Sequence, residues 1–251
     1  MAIYPEITNR AVVITGAGAG IGEAAVRAFY SQGAHVFLLD IDRKKIEDIA
    51  KDLGDRAHAI QTDITDPKAV LSAFEAIDQM GHGVDIFINC AGGYQKLLTV
   101  EKMDLEEWDQ TIALNLRAAF LCCQAAIPRL KKSNAGRIIN VTSISGRTVH
   151  AASSPAYGAA KAGVTQLTRF LAYELGPFGI TANSIAPLTT LTPRVAALRS
   201  EEDFQRIAAQ VPLGRLACVD DHVSAMLYLA SDGAAFVTGV ALDTNGGRVM
   251  M

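Results

Sequence analysis

An apolar run, Ala11-Val12-Val13-Ile14, passes directly into Thr15-Gly16-Ala17-Gly18-Ala19-Gly20-Ile21-Gly22 and then into a helix-compatible stretch from Glu23 to Tyr30. Strand, glycine turn and helix in that order constrain the fold more than any other feature of the chain. Glycines let the backbone close around a phosphate, while the N–H groups and the positive dipole end of the new helix hold its charge. The spacing is T-G-x-x-x-G-x-G rather than G-x-G-x-x-G, because counting from Gly16 ends at Ile21 and counting from Gly18 ends at Glu23. A dinucleotide pyrophosphate is the expected occupant, with Gly16, Gly18, Ala19, Gly20, Ile21 and Gly22 around it.

The rest of the chain repeats this alternation. Seven strand-like runs can be placed near Ala11, Val36, Ala57, Val84, Arg137, Ile180 and Val240, with helix-like segments between most of them. Such a β-α order implies a doubly wound α/β fold, with a seven-stranded parallel sheet covered by helices on both faces. At 251 residues and 50% hydrophobic the chain can bury a substantial core, and no linker or low-complexity segment interrupts it, so residues 1–251 are expected to form a single domain.

Two further features point to chemistry. The second apolar run, Val36-Phe37-Leu38-Leu39, ends at Asp40, whose carboxylate can accept both hydroxyls of an adenosine ribose and would repel a 2′-phosphate. Arg43 is the one residue nearby that pulls toward that phosphate, and it is read as a solvated residue opening the next helix; Asp40 as a helix N-cap is the plainer alternative. Tyr157-Gly-Ala-Ala-Lys161 places a phenol and an ammonium on one helix face. A free phenol titrates near ~10, so a base working near neutrality needs a shift of about three units, roughly 4 kcal/mol. A cation at ~4 Å supplies an interaction of about that size.

Taken together, these residues resemble the short-chain dehydrogenase/reductase superfamily, and the resemblance covers nearly the whole chain. It includes Asp63 and Ile64 in Thr62-Asp63-Ile64, Asn89-Cys90-Ala91-Gly92 at the end of the fourth strand, Asn115 in Leu114-Asn115-Leu116, and Ser143 in Asn140-Val141-Thr142-Ser143. The resemblance implies a Rossmann-like fold and hydride transfer between a secondary alcohol or ketone and a nicotinamide cofactor, NAD rather than NADP by virtue of Asp40. It implies that Tyr157 exchanges the proton, Lys161 lowers the phenol pKa and binds the nicotinamide ribose, Ser143 hydrogen-bonds the reacting oxygen, and Asn115 positions a water leading to Lys161. Asp63, Ile64, Asn89, Ala91, Gly92, Pro187, Thr190 and Thr192 complete the implied cofactor contacts. Three departures stand out: Pro187-Leu188 where the family has Pro-Gly, a separation of 14 positions between Ser143 and Tyr157, and Cys90 in place of a second asparagine.

The segment from about 188 to 212, with a helix signal from Ser200 to Gln210, is expected to form a lid over the substrate. Tyr94, Arg147, His150, Leu188 and Arg194 are the candidate substrate residues, and two arginines near the mouth could hold an anionic group. Two other readings stay open: an NADPH-dependent 3-oxoacyl thioester reductase, which would want a basic residue where Ala17 and Ala19 stand, and a non-catalytic NAD-binding redox sensor.

A net charge of −3 with no basic stripe argues against a nucleic-acid partner. No apolar run reaches membrane-spanning length and the N-terminus lacks signal-peptide segments, so a cytoplasmic enzyme without a membrane partner is expected. The four cysteines are read as reduced, and the scattered histidines propose no metal site. Val223, Met226, Leu227 and Ala230 line one face of a helix near 220–231. Similar enzymes pair such helices and the last strand across two-fold axes, which implies a homotetramer, with a dimer as the second choice.

Overall fold

The computed structural model describes residues 2–149, 153–192, 195 and 200–250. Seven strands form one sheet: β1 (Ala11–Thr15), β2 (His35–Asp40), β3 (Ala57–Gln61), β4 (Ile86–Asn89), β5 (Arg137–Val141), β6 (Thr181–Pro187) and β7 (Ala241–Thr244). Every pairing is parallel, and the spatial order is β3-β2-β1-β4-β5-β6-β7. The order reverses between β1 and β4, and at such a switch point the flanking loops diverge and leave a crevice at the carboxyl ends of the strands.

Burial explains the continuous apolar runs. All residues of β1, β4, β5 and β6 are buried, as expected of strands covered on both faces. Side chains alternate between two cores. Val12, Ile14, Val36, Leu38, Ile86 and Ile88 pack against α1 (Gly20–Ser31), with Val26 and Phe29, and against the C-terminal helix described below. Val13, Phe37, Leu39 and Phe87 face the other side, where α3 (Pro67–Gln79) supplies Phe74 and Ile77. The helix α2 (Arg43–Leu53) begins at the N-cap Asp42, whose side chain accepts from Lys45 N at 3.3 Å. Asp40 is therefore not the cap.

On the second face, α4 (Leu105–Ile112) runs through a π turn at Ala113–Arg117 into α5 (Ala118–Leu130), and α6 (Pro155–Leu175) lies alongside. The fused helix Leu105–Leu130 is, by length and composition alone, long and apolar enough to cross a membrane, which corrects the expectation that no run reaches that length. Its apolarity has a packing cause: Ala118, Cys122, Cys123, Ala126 and Leu130 are buried in the core against the sheet. Before β7 come α7 (Glu201–Ala208), started by a Ser200/Asp203 capping box as its sequence signal predicts, and α8 (Val219–Ala230), which buries Val223, Met226, Leu227 and Ala230. Cys90, Cys122, Cys123 and Cys218 are all free thiols, and burial pushes Cys90 up to about 12.

One expectation fails at the opposite end of the sheet. His35, His58 and His82 are not scattered, because β2, β3 and the turn after α3 bring them to one place.

Candidate active site

The crevice at the switch point is a cleft of about 1190 Å³. Gly16, Ala19, Gly20, Ile21 and Gly22 form one wall. Gly16 has φ 66°, and a methyl built on it would lie 2.8 Å from Ala91 Cα, so only glycine lets the turn after β1 close onto the turn after β4. No side chain caps the first turn of α1, which leaves its N–H groups and the positive end of the helix for an anion. Gly18 does not line the cleft itself: its N–H donates to Asp40 Oδ2 at 2.9 Å, while Asp42 N–H donates to Asp40 Oδ1 at 2.9 Å. Two backbone donors thus fix the Asp40 carboxylate in the cleft wall, and each oxygen keeps a lone pair for a hydroxyl. Arg43 turns away, 2.7 Å from Glu47 and exposed.

Asp63 and Ile64 continue this wall, with Asp63 Oδ1 anchored by Thr65 N–H at 2.9 Å and Thr65 Oγ at 2.7 Å. Ala91 and Gly92 line the floor, but the Asn89 side chain does not reach it. Asn89 sits in a buried polar chain across the sheet: Thr15 Oγ1 donates to Asn89 Oδ1 (3.2 Å), Asn89 Nδ2 to Asn140 Oδ1 (3.2 Å), and Asn140 Nδ2 to Thr168 Oγ1 (2.9 Å). Thr15 Oγ1 also accepts from Ala91 N–H at 3.2 Å, so Asn89 shapes the floor through Thr15.

Ser143, Tyr157 and Lys161 converge at the other end of the cleft. Ser143 lies two residues beyond β5, and its Oγ accepts from Ser145 N–H at 3.1 Å. Tyr157 and Lys161 project from the first turns of α6, started by Pro155 at its first position. Lys161 is 4% exposed; its Nζ donates to Val141 O at 2.7 Å and lies 5.5 Å from the Tyr157 ring centroid. Burial lowers the ammonium to about 8, with Cys90 opposing the shift weakly, so it stays mostly charged at neutral pH. Asn115 lies in the π turn rather than in regular helix. Its amide donates to Thr111 O (2.8 Å) and Gly93 O (2.7 Å), and its carbonyl accepts from Gly93 N–H (2.9 Å). A methyl on Gly92 would stand 2.5 Å from Asn115 Oδ1 and 3.0 Å from Lys161 Nζ, which makes Gly92 the residue that lets these groups meet.

The candidate substrate residues divide. Tyr94 lines the cleft, its ring 5.2 Å from that of Tyr157. Leu188 also lines it, packed on Ile144 and Val211, and Pro187, Thr190 and Thr192 extend the same side. Arg147 is a correction: its guanidinium donates to Ala241 O at 2.7 Å and pairs with Asp243 at 3.4 Å, so it locks the loop after β5 to β7 and does not line the cleft. His150 and Arg194 lie outside the described residues.

Comparison with known proteins decides the family. The family profile described as enoyl-(acyl carrier protein) reductase matches residues 16–248. A probable galactose dehydrogenase of Rhizobium meliloti is 36% identical, over 97% of this chain and 96% of its own length. The chain belongs to the short-chain dehydrogenase/reductase superfamily, and it is an oxidoreductase. Within that superfamily a 3-oxoacyl-acyl-carrier-protein reductase of Vibrio cholerae is 35% identical over 98% of this chain and 100% of its own. The solved structure of a 3-ketoacyl-acyl-carrier-protein reductase from Brucella melitensis complexed with NADH superposes with a TM-score of 0.89 at 33% identity, covering 97% and 100% of the two chains.

Some of what shapes the site in this dehydrogenase/reductase is absent from the motif reading. The Thr15–Asn89–Asn140–Thr168 chain has one local signal beyond Asn89, the amide of Asn140 between the apolar residues Ile139 and Val141 of β5. His222 is wholly buried and bridges Thr190 Oγ1 (2.7 Å) and Thr244 Oγ1 (2.9 Å), holding the segment after β6 to β7 and α8. Burial lowers its imidazole to about 4, with Asp221 opposing.

Proposed function

We propose that this enzyme is an NAD-dependent oxidoreductase that interconverts a small polar secondary alcohol and its ketone, with Tyr157 as the general acid/base. The observation that carries the reading is the single cleft with Asp40 at one end and Ser143, Tyr157 and Lys161 at the other. The residues present fit a dinucleotide: an uncapped helix start for the pyrophosphate, a fixed carboxylate for the ribose, and a buried ammonium near the phenol. When bound, the nicotinamide accepts or gives the hydride.

The residues of the chain do the rest. Ser143 donates a hydrogen bond to the reacting oxygen, and Tyr157 takes its proton during oxidation or returns one during reduction. Lys161 spends one of its three donors on Val141 O and keeps the others for the phenol oxygen and a ribose hydroxyl. Asn115, held by Gly93 and Thr111, orients the water through which that proton leaves. With Arg147 committed to β7, a neutral hydroxyl-rich substrate is favoured over an anionic one. The name of the Rhizobium relative, a galactose dehydrogenase, agrees with that choice.

NADPH-dependent reduction of 3-oxoacyl thioesters is the second reading, favoured by the name of the Vibrio relative. Asp40 opposes it. The deciding experiment follows reduced nicotinamide by absorbance, with NAD or NADP, over neutral polyols and aldoses, hydroxy acids and, in reverse, an acetoacetyl thioester. NAD reduction with at least one neutral polyol supports the proposal, turnover of an aldose to a lactone would keep NAD and the neutral substrate but replace the ketone product, and turnover confined to NADPH and the thioester would replace it with the second reading.

A further inference from the structure

We propose that His35, His58 and His82 form a binding site for one divalent transition-metal ion of the zinc class, at the end of the sheet opposite the active site. His35 opens β2 and His58 lies on β3, while His82 sits in the turn between α3 and β4. The register pairs His58 with Phe37, and Phe37 lies two residues beyond His35, so both imidazoles project from the same face of the sheet. The turn after α3 crosses that face and brings His82 over it, its ring centroid 4.5 Å from that of His35 and 5.9 Å from that of His58. One ring nitrogen from each residue can be chosen so that all three lie within 4.8 Å of one another.

Three features of this cluster point to an ion rather than to packing. First, Nδ1 of His35 and Nε2 of His58 are buried and have no hydrogen-bond partner, a cost that coordination would remove. Second, the donor set is chemically selective: three imidazoles with no carboxylate among them suit Zn²⁺, Co²⁺, Ni²⁺ or Cu²⁺ and not Mg²⁺ or Ca²⁺. Third, the floor is aromatic, since the Phe37 ring stacks on His58 at 4.9 Å and meets His82 edge-on at 5.4 Å. An apolar floor beneath imidazole ligands limits solvent around a bound ion.

Tetrahedral coordination at ~2.0–2.1 Å from each nitrogen requires nitrogens about 3.3 Å apart. The described nitrogens lie within 4.8 Å of one another, so binding would require the imidazoles to rotate inward by a further ~1.5 Å. All three histidines are half-buried, so an ion can enter from solvent and a water can take the fourth position.

Asp40 lies five residues beyond His35 on β2, about 17 Å along the strand, so a bound ion would not touch the hydride-transfer chemistry. Its effect would be to tie β2, β3 and the α3–β4 turn together at the sheet edge.

The test uses the full chain without a histidine tag, stripped with a chelator and titrated with Zn²⁺ and, separately, Co²⁺. One ion per chain and the intense visible absorption of four-coordinate, nitrogen-bound Co²⁺ are expected. Zn²⁺ at a hundredfold above its dissociation constant should raise the thermal midpoint by roughly 5–10 °C. Uptake and the Co²⁺ spectrum should both be lost in His58→Asn and in His82→Asn, the second of which changes only a turn. No stoichiometric uptake by the wild-type chain overturns the proposal. So does uptake that survives in both variants, which would place the ion elsewhere, for example at the exposed Cys218 thiol.

Discussion

Burial lowers the Lys161 ammonium to about 8, with Cys90 opposing, and its Nζ donates to the Val141 carbonyl at 2.7 Å, so the cation beside Tyr157 persists at neutral pH. A neighbouring positive charge is what a phenol needs to release its proton near neutrality. Asp40 has the same character at the cofactor end, a carboxylate whose direction is fixed by the N–H groups of Gly18 and Asp42. A 2′-phosphate facing it at ~4 Å would be repelled by a few kcal/mol at intermediate dielectric, and screening still leaves at least about tenfold discrimination. The enzyme is therefore expected to prefer NAD over NADP by tenfold or more in kcat/KM. In Asp40→Ala the ratio should shrink toward unity. Equal efficiencies in the wild type would mean that Asp40 does not face the ribose.

At the scale of elements, His222 gives a pH signature unrelated to catalysis. Its imidazole is lowered to about 4 in the folded chain against an ordinary 6.5, so the unfolded state binds the proton more tightly. Stability from this group is present above pH ~6.5 and is lost as pH falls toward ~4, up to about 3 kcal/mol per chain. Thermal midpoints between those pH values should fall in the wild type and fall less steeply in His222→Gln. Parallel slopes would show that other groups govern the acid response. This contact was not legible in the sequence, because His222 meets Thr190 and Thr244 only after β6, α8 and β7 have packed.

The strands and the glycine turn were legible for the opposite reason. Their signals are local, an apolar run or a residue type required at one backbone position, and they depend on no distant partner. The motif residues Ser143, Tyr157 and Lys161 stand at element ends, which the strand order brings to one cleft. Arg147 shows the limit: a charged residue in a loop near the site reads as a ligand holder until Asp243 and the Ala241 carbonyl, nearly a hundred positions later, claim it. The π turn at Asn115 and the meeting of His35, His58 and His82 likewise carry no local signal.

At the scale of the whole molecule, large apolar side chains remain on the outer surface of the second helical layer and near the C-terminus, among them Leu105, Phe170, Tyr173 and Phe236. The homotetramer implied by the resemblance predicts that light scattering of the eluted protein gives four times 26.6 kDa, and a dimer twice that mass. A monomer mass at micromolar concentration would contradict that assembly.

The central claim is that one cleft binds NAD and moves a proton through Tyr157, and turnover by Tyr157→Phe tests it most directly. The substitution removes one ionisable oxygen and little volume, so NAD affinity should stay within about threefold while kcat falls by at least ~100-fold, the usual scale of general acid/base catalysis. Turnover by the variant within tenfold of the wild type, with an alcohol that the wild type oxidises, would contradict the account.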